Sequence, residues 1–343
     1  MLDTYKPKYF KFKVRPQDFI VEEKLHSLPT GSGHVFYVFF EKKFQNTFDI
    51  LDYLGKNLNL QRKHFWIWGL KDKFWITRQW ISIYKRTLQS RWGPKNFLNI
   101  LWKKAKILKT SWWNQLLKVG DNKWNLFFIR LRPTAKAKKL KKSFLKEQVA
   151  FALKEISKNW VPNYFWIQRF GKKLSNPQIG LDLIQGKIKI SNPIEAQFKV
   201  QALASRLFNR YLDLRIKKWW FNQKIPGDIF YDIDRKVFTL NPDLEGFVPT
   251  GPLYWYNLVI NENDAYLLEY ENLKKHGLTW KDLEKFKKFD VYGLRRPIKI
   301  FLKDLRSKWQ GLDLLLMFEL PAGSYASVVV NYLDYRIARL LQD

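Results

Sequence analysis

Cysteine is absent from this chain of 343 residues. Its absence excludes disulfide bonds, thiolate nucleophiles and every cysteine-based zinc or iron–sulfur site. Histidine is scarce, and no two of His26, His34, His64 and His276 have the i, i+4 spacing of a helical zinc motif. We therefore predict no metal site, and any chemistry must use carboxylates, hydroxyls, lysine or an isolated histidine.

Acidic residues are also few. The chain has 31 Asp and Glu against 62 Lys and Arg, which gives a formal net charge of +31. Such an excess is typical of proteins that bind a polyanion. Hydrophobic residues nevertheless make up 46% and aromatic residues 17% of the chain, which is too much apolar material for a disordered protein. The length predicts roughly two domains.

A long hydrophobic run is missing too. No apolar stretch approaches the roughly 18 residues of a membrane-spanning helix, so we expect no membrane partner. The first residues, Met-Leu-Asp-Thr-Tyr-Lys, lack the apolar region of a secretory signal. These two absences favour a cytoplasmic protein.

The hydrophobic pattern predicts both strands and helices. Alternation and aromatic content predict strands, and apolar residues three or four positions apart predict helices. Predicted strands are 9–14, 18–23, 34–40, 65–70, 125–131 and 314–320, and 327–340 is a strand or a helix. Predicted helices are 47–58, 136–156 and 196–216. Asn46 or Thr47 would cap the first of them. In the last, Arg206, Arg210 and Arg215 would lie on the exposed face of the helix.

Most turn signals lie in the middle third of the chain, at about 161–298. They include Asn176-Pro177, Asn192-Pro193, Pro226-Gly227-Asp228 and Asn241-Pro242-Asp243. This concentration predicts an outer fold that is split in sequence by an inserted domain.

Two charged segments could carry function. In Gly69-Leu70-Lys71-Asp72-Lys73, nearby lysines would favour the ionised carboxylate, although the pentapeptide alone is more typical of a surface turn. Residues 136–146 contain six lysines at one end of a predicted amphipathic helix. A solvated helix face and a nucleic-acid surface explain these lysines equally well.

Sequence blocks along almost the whole chain resemble the TruD family of tRNA pseudouridine synthases. The 161–171 and 320–326 blocks are highly specific. In the family's order the blocks are Asp18–Glu23, Gly31–His34, Gly69–Lys73 with Thr77 and Gln79, Val161–Gly171, Phe208-Asn209, Pro249–Leu253, Arg295–Pro297 and Leu320–Ala326.

The resemblance implies an α+β fold. Its main part would be the pseudouridine synthase fold, with a mixed, largely antiparallel sheet flanked by helices and interrupted by an inserted α/β domain. The implied domains are 1–160 and 299–343 for the catalytic part and 161–298 for the insertion.

The resemblance also implies an activity. A uridine of tRNA, typically at position 13, would be isomerised to pseudouridine without a cofactor, and tRNA would be the partner, with no obligatory protein partner. A chain without metal-ligand clusters suits such a reaction.

The implied catalytic residue is Asp72, as nucleophile or as base. Lys13 would pair with Asp72, and an opposite charge within about 4–6 Å favours the ionised carboxylate. The target base must leave its stack, and Phe19, Asn122 and Tyr325 stand at positions that hold the uridine in the family. Candidates for RNA binding are Asn163, Gln168, Arg169, Arg206 and Arg210.

The chain departs from the family pattern at three tryptophans. Trp124 replaces a phenylalanine, in a loop that is shortened before Asn122, and because its larger ring can still stack it is a further candidate for substrate binding. Trp166 and Trp255 stand where the family usually has glycine, whose backbone freedom tryptophan cannot supply. Two hypotheses follow: either these loops are rearranged, or a codon for glycine has been translated as tryptophan in the sequence.

One alternative function stays open on composition alone. A non-catalytic RNA-binding or RNA-chaperone protein would need the same basic surface. A nuclease is disfavoured because the sequence lacks paired acidic metal ligands and clustered histidines.

Overall fold

The computed structural model describes residues 5–25, 27–69, 71–89, 93–117, 122–171, 173–232, 237–240 and 246–341. The strands are β1 (Phe10–Lys11), β2 (Phe19–Leu25), β3 (Val35–Lys42), β4 (Trp66–Ile67), β5 (Ile76–Tyr84), β6 (Lys106–Trp113), β7 (Asn122–Pro133), β8 (Val161–Pro162), β9 (Phe230–Asp232), β10 (Val237–Thr239), β11 (Phe247–Leu253), β12 (Leu294–Pro297), β13 (Lys299–Ile300), β14 (Lys303–Gln310) and β15 (Asp313–Pro321). The α-helices are α1 (Thr47–Leu58), α2 (Lys85–Gln89), α3 (Gly93–Trp102), α4 (Ala135–Lys138), α5 (Lys142–Lys158), α6 (Asn176–Ile184), α7 (Pro193–Lys217), α8 (Asn263–Lys275) and α9 (Ala326–Leu340). The 3-10 helices are Pro16–Asp18, Arg62–His64, Ile167–Phe170 and Trp280–Phe289.

The chain divides into two compact units. The sheet unit comprises Lys8–Glu147 and Leu302–Gly323, and the helical unit comprises Met1–Pro7, Gln148–Phe301 and Ser324–Asp343. Both units are therefore discontinuous in sequence. The predicted domains 1–160, 161–298 and 299–343 follow from the family resemblance and not from the compactness of the units, and they stay a prediction.

A mixed sheet forms the centre of the sheet unit. Its order is β14-β15-β7-β2-β5-β3-β6, with β1 also paired to β7 and β4 to β5. β2 and β5 are parallel, and the other pairs in this sheet are antiparallel. The predicted α+β fold with a mixed, largely antiparallel sheet is confirmed.

Helices α1 and α3 cover part of this sheet. Ile50 and Leu54 of α1 are fully buried in one apolar cluster with Phe36 of β3 and Phe97 of α3. Asn46 is the N-cap of α1, and its backbone N–H donates to the Asp49 carboxylate at 3.3 Å. The prediction of helix 47–58 and of its cap is confirmed, because the apolar spacing and the capping residue indicate the same element.

The helical unit is built around the long helix α7. The Asn192 side chain caps α7 by accepting hydrogen bonds from the N–H groups of Ile194 and Glu195 at 3.0 and 3.2 Å. A small sheet in the order β10-β9-β11-β12 and the pair β13-β8 complete the strands of this unit. Its buried face includes Leu203 and Leu207 of α7, as the helical spacing predicts.

Three predicted elements differ from the structure. Within the strand predicted at 65–70, of which residues 65–69 are described, Trp66 and Ile67 are the described residues that pair with β5. The helix predicted at 136–156 is divided into α4 and α5, and lysines three and four positions apart disfavour a continuous helix at that point. The strand predicted at 9–14 pairs only at Phe10 and Lys11.

The structure also decides the C-terminal segment, which was predicted as a strand or a helix, and corrects the prediction for one arginine. Residues 327–340 belong to helix α9. Arg215 was predicted to lie on the exposed face of helix α7, but its side chain is fully buried. Its guanidinium donates to both carboxylate oxygens of Asp228, at 2.5 and 2.6 Å, and this pairing makes burial of the charge possible.

Candidate active site

Asp72 lies in the loop between β4 and β5 of the sheet unit. Its side chain is half-buried, and its carboxylate oxygen Oδ1 accepts a hydrogen bond from the Phe74 backbone N–H at 3.2 Å. A carboxylate that bonds to the backbone two residues further on stabilises a tight turn. One oxygen of Asp72 is thus used to shape the loop.

Lys42, at the end of β3, binds this loop through its side chain. Its ammonium group donates hydrogen bonds to the carbonyls of Gln45 at 2.9 Å, Lys71 at 3.3 Å and Asp72 at 2.8 Å. The side chain is 1% exposed, and burial lowers the pKa of Lys42 to about 8, although the charge of Asp72 raises it. Lys42 was not predicted as a site residue, although its position two residues after the buried Phe40 places both on one face of β3.

The two lysines that flank Asp72 differ in their environment. The Lys71 ammonium lies 2.6 Å from a carboxylate oxygen of Glu23, and both side chains are largely buried. Burial raises the pKa of Glu23, and the charge of Lys71 opposes that rise. Lys73 is exposed. Lys71 is therefore committed to the interior, where its charge is compensated.

Lys13 lies beside the aromatic residues next to this loop. Its ammonium is 4.3 Å from the centre of the Phe19 ring and 5.5 Å from that of Trp75. Its φ of 60° is in the left-handed region, which is uncommon for lysine. Burial lowers the pKa of Lys13 to about 8, and the charge of Asp72 acts in the opposite direction. The structure thus places Lys13 against the Phe19 ring and within electrostatic range of Asp72, all three in the sheet unit.

Phe19 is the first residue of β2, and the residue before it anchors this end of the strand. The Asp18 carboxylate accepts hydrogen bonds from the Arg132 guanidinium at 2.7 and 2.8 Å. The Phe19 ring also contacts Phe127 and Trp75, at centroid distances of 6.0 and 6.1 Å. Because Lys13 covers one ring face, a nucleobase that stacks on this face must displace the lysine.

Trp124 and Asn122 belong to β7. The Trp124 ring is 8% exposed, and the Lys303 ammonium lies 4.3 Å from its centre. Asn122 is the first residue of the strand, and its side chain lies outside the described residues. The predicted uridine-binding roles of both residues stay predictions.

Tyr325, Asn163 and Gln168 belong to the helical unit. Tyr325 is the N-cap residue of α9, and its ring meets Phe165 edge to face at 6.0 Å. Asn163 is buried and donates a hydrogen bond to the Pro297 carbonyl at 2.9 Å, so it holds two segments of this unit together. Gln168 is exposed. Of these three, Gln168 has the side chain that RNA could reach most directly.

The three predicted RNA-binding arginines lie on or beside α7. Arg169 donates to the Gln201 side chain at 3.0 Å, and burial lowers its pKa. Arg206 lies 5.5 Å from the Phe170 ring, and Arg210 donates to Asp213 at 3.2 Å. Burial lowers the pKa of His276, and the charges of Arg210 and Arg206 lower it further.

Two further observations concern the described residues as a whole. They contain no group of three or more histidines and carboxylates that could hold a metal ion. None of the described helices has both the length and the apolar composition that a membrane span requires.

Comparison with known proteins gives consistent matches. The family model described as tRNA pseudouridine synthase D (TruD) matches residues 6–192 and 189–332. The tRNA pseudouridine synthase D of Hydrogenovibrio crunogenus is 29% identical over 94% of this chain and 91% of its own length. An enzyme of that name from Thermus thermophilus is also 29% identical, over 94% of this chain and 87% of its own.

A solved structure has a similar fold. The crystal structure of the candidate tRNA pseudouridine synthase D (TruD) of Methanosarcina mazei superposes with a TM-score of 0.71 at 18% identity. The superposition covers 98% of this chain and 96% of that one, so it extends over both compact units.

Proposed function

The chain belongs to the TruD family of tRNA pseudouridine synthases, and from that membership we propose that it isomerises a uridine of tRNA to pseudouridine through Asp72. We propose uridine 13 as the position and the cytoplasm as the site of action. The observation that carries the proposal is the grouping of Asp72 with Lys13 and Phe19 in the sheet unit.

The proposed reaction rearranges bonds and consumes nothing. The N1–C1′ glycosidic bond breaks, the uracil turns, and a C5–C1′ bond forms at the same ribose. The proton that leaves C5 is balanced by the proton that N1 of the product carries. No electrons are gained or lost, so the reaction needs no redox cofactor or group donor.

Asp72 has the chemistry that either form of this reaction requires. A carboxylate can attack C1′ and later leave, or it can take a proton from the sugar. Both roles use the ionised form of the carboxylate. Lys13 and Lys42 both interact electrostatically with Asp72.

Phe19 and Tyr325 are the proposed aromatic contacts of the flipped uracil, and Asn122 the proposed polar contact. Stacking on an aromatic ring is worth about 1–3 kcal/mol per base, which offsets part of the cost of unstacking. For Phe19, the grouping with Lys13 supports this role. For Asn122 and Tyr325, the proposal rests on the family resemblance.

The decisive experiment compares two Asp→Asn variants. Asp72→Asn should bind tRNA but form no pseudouridine, as read by carbodiimide adduct mapping of a tRNA transcript. Asp52→Asn is the matched control, because Asp52 is exposed and pairs with Arg62 on the surface, and it should keep full activity. Full activity of Asp72→Asn would contradict the proposal.

The same assay tests the position and the alternative function. A transcript with cytidine in place of uridine 13 should acquire no adduct. Adducts elsewhere in that transcript would overturn the choice of position while keeping the enzyme. Binding without adducts in every tRNA of the host would favour the non-catalytic RNA-binding protein.

A further inference from the structure

A cavity of about 540 Å³ lies within the helical unit, between helix α9 and the C-terminal end of α7. We call it the α9 cavity. Its volume falls in the range of about 300–1,000 Å³ that small-ligand sites have. Five aromatic side chains contribute to its lining: Tyr5, Tyr164, Phe221, Tyr332 and Tyr335.

Helix α9 presents one of its sides to this cavity. It contributes two tyrosines and two arginines to the lining: Tyr332, Tyr335, Arg336 and Arg339. The last three follow the first by three, four and seven positions, so all four lie along one side of the helix. The other side of α9 is buried at Val330, Leu333 and Ile337. The apolar core is thus formed by one side of α9, and the cavity by the other.

The two tyrosines of α9 offer aromatic surface to a ligand. Their rings are nearly parallel, with an angle of 22° between the planes and 6.5 Å between the centroids. Tyr335 also meets the Tyr5 ring edge to face at 5.7 Å. Both Tyr332 and Tyr335 are only half-buried, so each ring keeps accessible surface. Accessible aromatic rings are the surfaces on which nucleobases stack.

Three basic side chains line the same cavity. The Arg336 guanidinium donates to one oxygen of Glu155 at 2.6 and 3.2 Å, and this pair fixes its position. Arg339 in the last turn of α9 and Lys217 in the last turn of α7 are exposed. Basic residues in a last turn complement the helix dipole, but that effect requires no aromatic neighbours. The cavity combines the two groups.

Asp213 is the acidic residue among those that line the cavity. Its carboxylate accepts hydrogen bonds from the Tyr164 hydroxyl at 2.8 Å and from the Arg210 guanidinium at 3.2 Å. The negative charge of Asp213 is therefore compensated within the fold. Positive charge exceeds negative charge in the lining, which favours an anionic ligand.

We propose that the α9 cavity binds a nucleotide, with its base against Tyr332 and Tyr335 and its phosphate at Arg339 and Lys217. Base stacking uses the rings, and the basic groups bind phosphate oxygens. A purely apolar ligand would leave the exposed cations unused, and a simple anion would leave the rings unused. Two sources share this chemistry, an unstacked nucleotide of tRNA and a free mononucleotide, and the first of them rests on the proposed function.

The first experiment compares three probes by the thermal unfolding midpoint at equal ionic strength. Adenosine monophosphate should raise the midpoint more than ribose 5-phosphate, which lacks the base, and more than adenosine, which lacks the phosphate. An equal rise with ribose 5-phosphate would reduce the cavity to an anion site and overturn the proposal. An equal rise with adenosine would overturn the role of the cations.

Tyr335→Leu tests the role of the rings, because it removes an aromatic surface and keeps an apolar side chain. It should weaken binding of adenosine monophosphate at least about fivefold. At a concentration of about ten times the dissociation constant, the rise in midpoint should then fall to about half or less. Tyr270→Leu is the matched control, because Tyr270 is half-buried and forms a nearly parallel pair with Tyr266 on α8, outside the cavity lining. It should keep the full rise.

Arg339→Gln tests the role of the cations at an exposed position, where folding should be little affected. It should also reduce the rise with adenosine monophosphate and leave the rise with adenosine unchanged. Lys158→Gln is the matched control, because Lys158 is exposed in the last turn of α5 and does not line the cavity. It should keep both responses.

The second experiment identifies the source of the nucleotide by measuring tRNA affinity against salt in an Asp72→Asn background. If the nucleotide belongs to tRNA, Tyr335→Leu should weaken tRNA binding at least about fivefold. Arg339→Gln should reduce the slope of log affinity against log salt by about one unit. Loss of the response to adenosine monophosphate with unchanged tRNA affinity would keep the site and assign it to a free mononucleotide.

The outcomes separate this site from the proposed function. An unchanged response to adenosine monophosphate in both Tyr335→Leu and Arg339→Gln would overturn the nucleotide site, even if pseudouridine is formed as proposed. A lost response in a protein that forms no pseudouridine would support a nucleotide site in a protein without that activity. Losses of equal size in Tyr270→Leu and Lys158→Gln would overturn the site.

Discussion

The Lys42 ammonium donates a hydrogen bond of 2.8 Å to the backbone carbonyl of Asp72. The bond connects the end of β3 with the loop that carries the proposed catalytic carboxylate. Because Lys42 also bonds to the carbonyls of Gln45 and Lys71, it holds the segment at Gln45 and the segment Lys71-Asp72 in one arrangement. A buried cation thus acts as a positioning group for Asp72.

Replacement of Lys42 by methionine tests this relationship. Lys42→Met keeps the length of the side chain but leaves the three carbonyls without their donor. We expect kcat to fall on the order of 10²-fold, because a displaced catalytic group loses its alignment, while KM changes little. The free energy of unfolding should fall by about 1–3 kcal/mol.

Lys43→Met is the control for this change. Lys43 is adjacent in sequence, carries the same charge and is exposed. Its replacement should leave both kcat and stability nearly unchanged. Equal kcat in the Lys42 and Lys43 variants would contradict the positioning role.

The pH dependence of activity should report Lys13. Burial lowers the pKa of Lys13 to about 8, so the ammonium loses its proton as the pH rises through that value. If the positive charge of Lys13 keeps the Asp72 carboxylate in position, kcat/KM should fall above pH 8 by about tenfold per pH unit. Steady-state kinetics between pH 6.5 and about 9.5 would measure this fall.

Unfolding of the protein at high pH would not explain such a fall in kcat/KM. Between pH about 8 and 10.5 the folded protein binds fewer protons at Lys13 than the unfolded chain does, so this group's contribution to stability rises with pH. Lys13→Arg keeps its charge at high pH and should remove the fall. A persistent fall in that variant would assign it to Lys42, whose pKa is also lowered to about 8.

Local sequence patterns predicted the parts of the fold that depend on local chemistry. Helix 47–58 has both its apolar spacing and its cap in the sequence. Strands 125–131 and 314–320 are largely apolar, and they pair with each other in β7 and β15. Where pairing depends on distant segments, as at 65–70, composition predicted too long a strand.

The candidate site was predictable only in part. The resemblance supplied Asp72, Lys13 and Phe19 as predicted site residues, whereas the motif around Asp72 alone was more typical of a surface turn. Lys42 was missed because its role comes from a neighbour far away in sequence, the loop that carries Asp72. Composition cannot separate such residues from the other lysines and arginines of a basic chain.

The same limit explains the wrong prediction for Arg215. Helical spacing placed it on the polar face of α7, but its partner Asp228 follows in the next segment and covers it. Asp228→Asn leaves the buried guanidinium without its counter-charge and should lower the free energy of unfolding by about 3–5 kcal/mol. Urea denaturation would measure the loss.

An exposed ion pair provides the control for Asp228. Glu271 lies 2.6 Å from Lys275 on the surface of α8. Glu271→Gln should lower the free energy of unfolding by no more than about 1 kcal/mol, because solvent screens exposed pairs. Equal losses in the two variants would contradict a special role of the buried pair.

Of the two tryptophans at family glycine positions, Trp166 has an ordinary extended backbone, with φ of −80° and ψ of 153°. This conformation is compatible with a rearranged loop. The mass of the intact protein from its natural host decides between the hypotheses. A mass that matches 16 tryptophans excludes the hypothesis that a glycine codon has been translated as tryptophan in the sequence.

Trp219, just beyond the end of α7, has the backbone conformation that favours glycine. Its φ is 64°, its side chain is 85% exposed, and its N–H donates to the Ile216 carbonyl at 3.0 Å. The Trp220 N–H closes the helix end on the Arg215 carbonyl at 2.9 Å. Helices that end in this way usually have glycine at the left-handed position.

Trp219→Gly should therefore stabilise the protein by about 1 kcal/mol, because a left-handed backbone is costly for a residue with a side chain and the exposed ring contributes little packing. Trp102→Gly is the matched control. Trp102 is 72% exposed and ends helix α3, where glycine should cost about 0.5–1 kcal/mol. Urea denaturation should thus move the two midpoints in opposite directions, and a loss of stability in both variants would contradict the strain at Trp219.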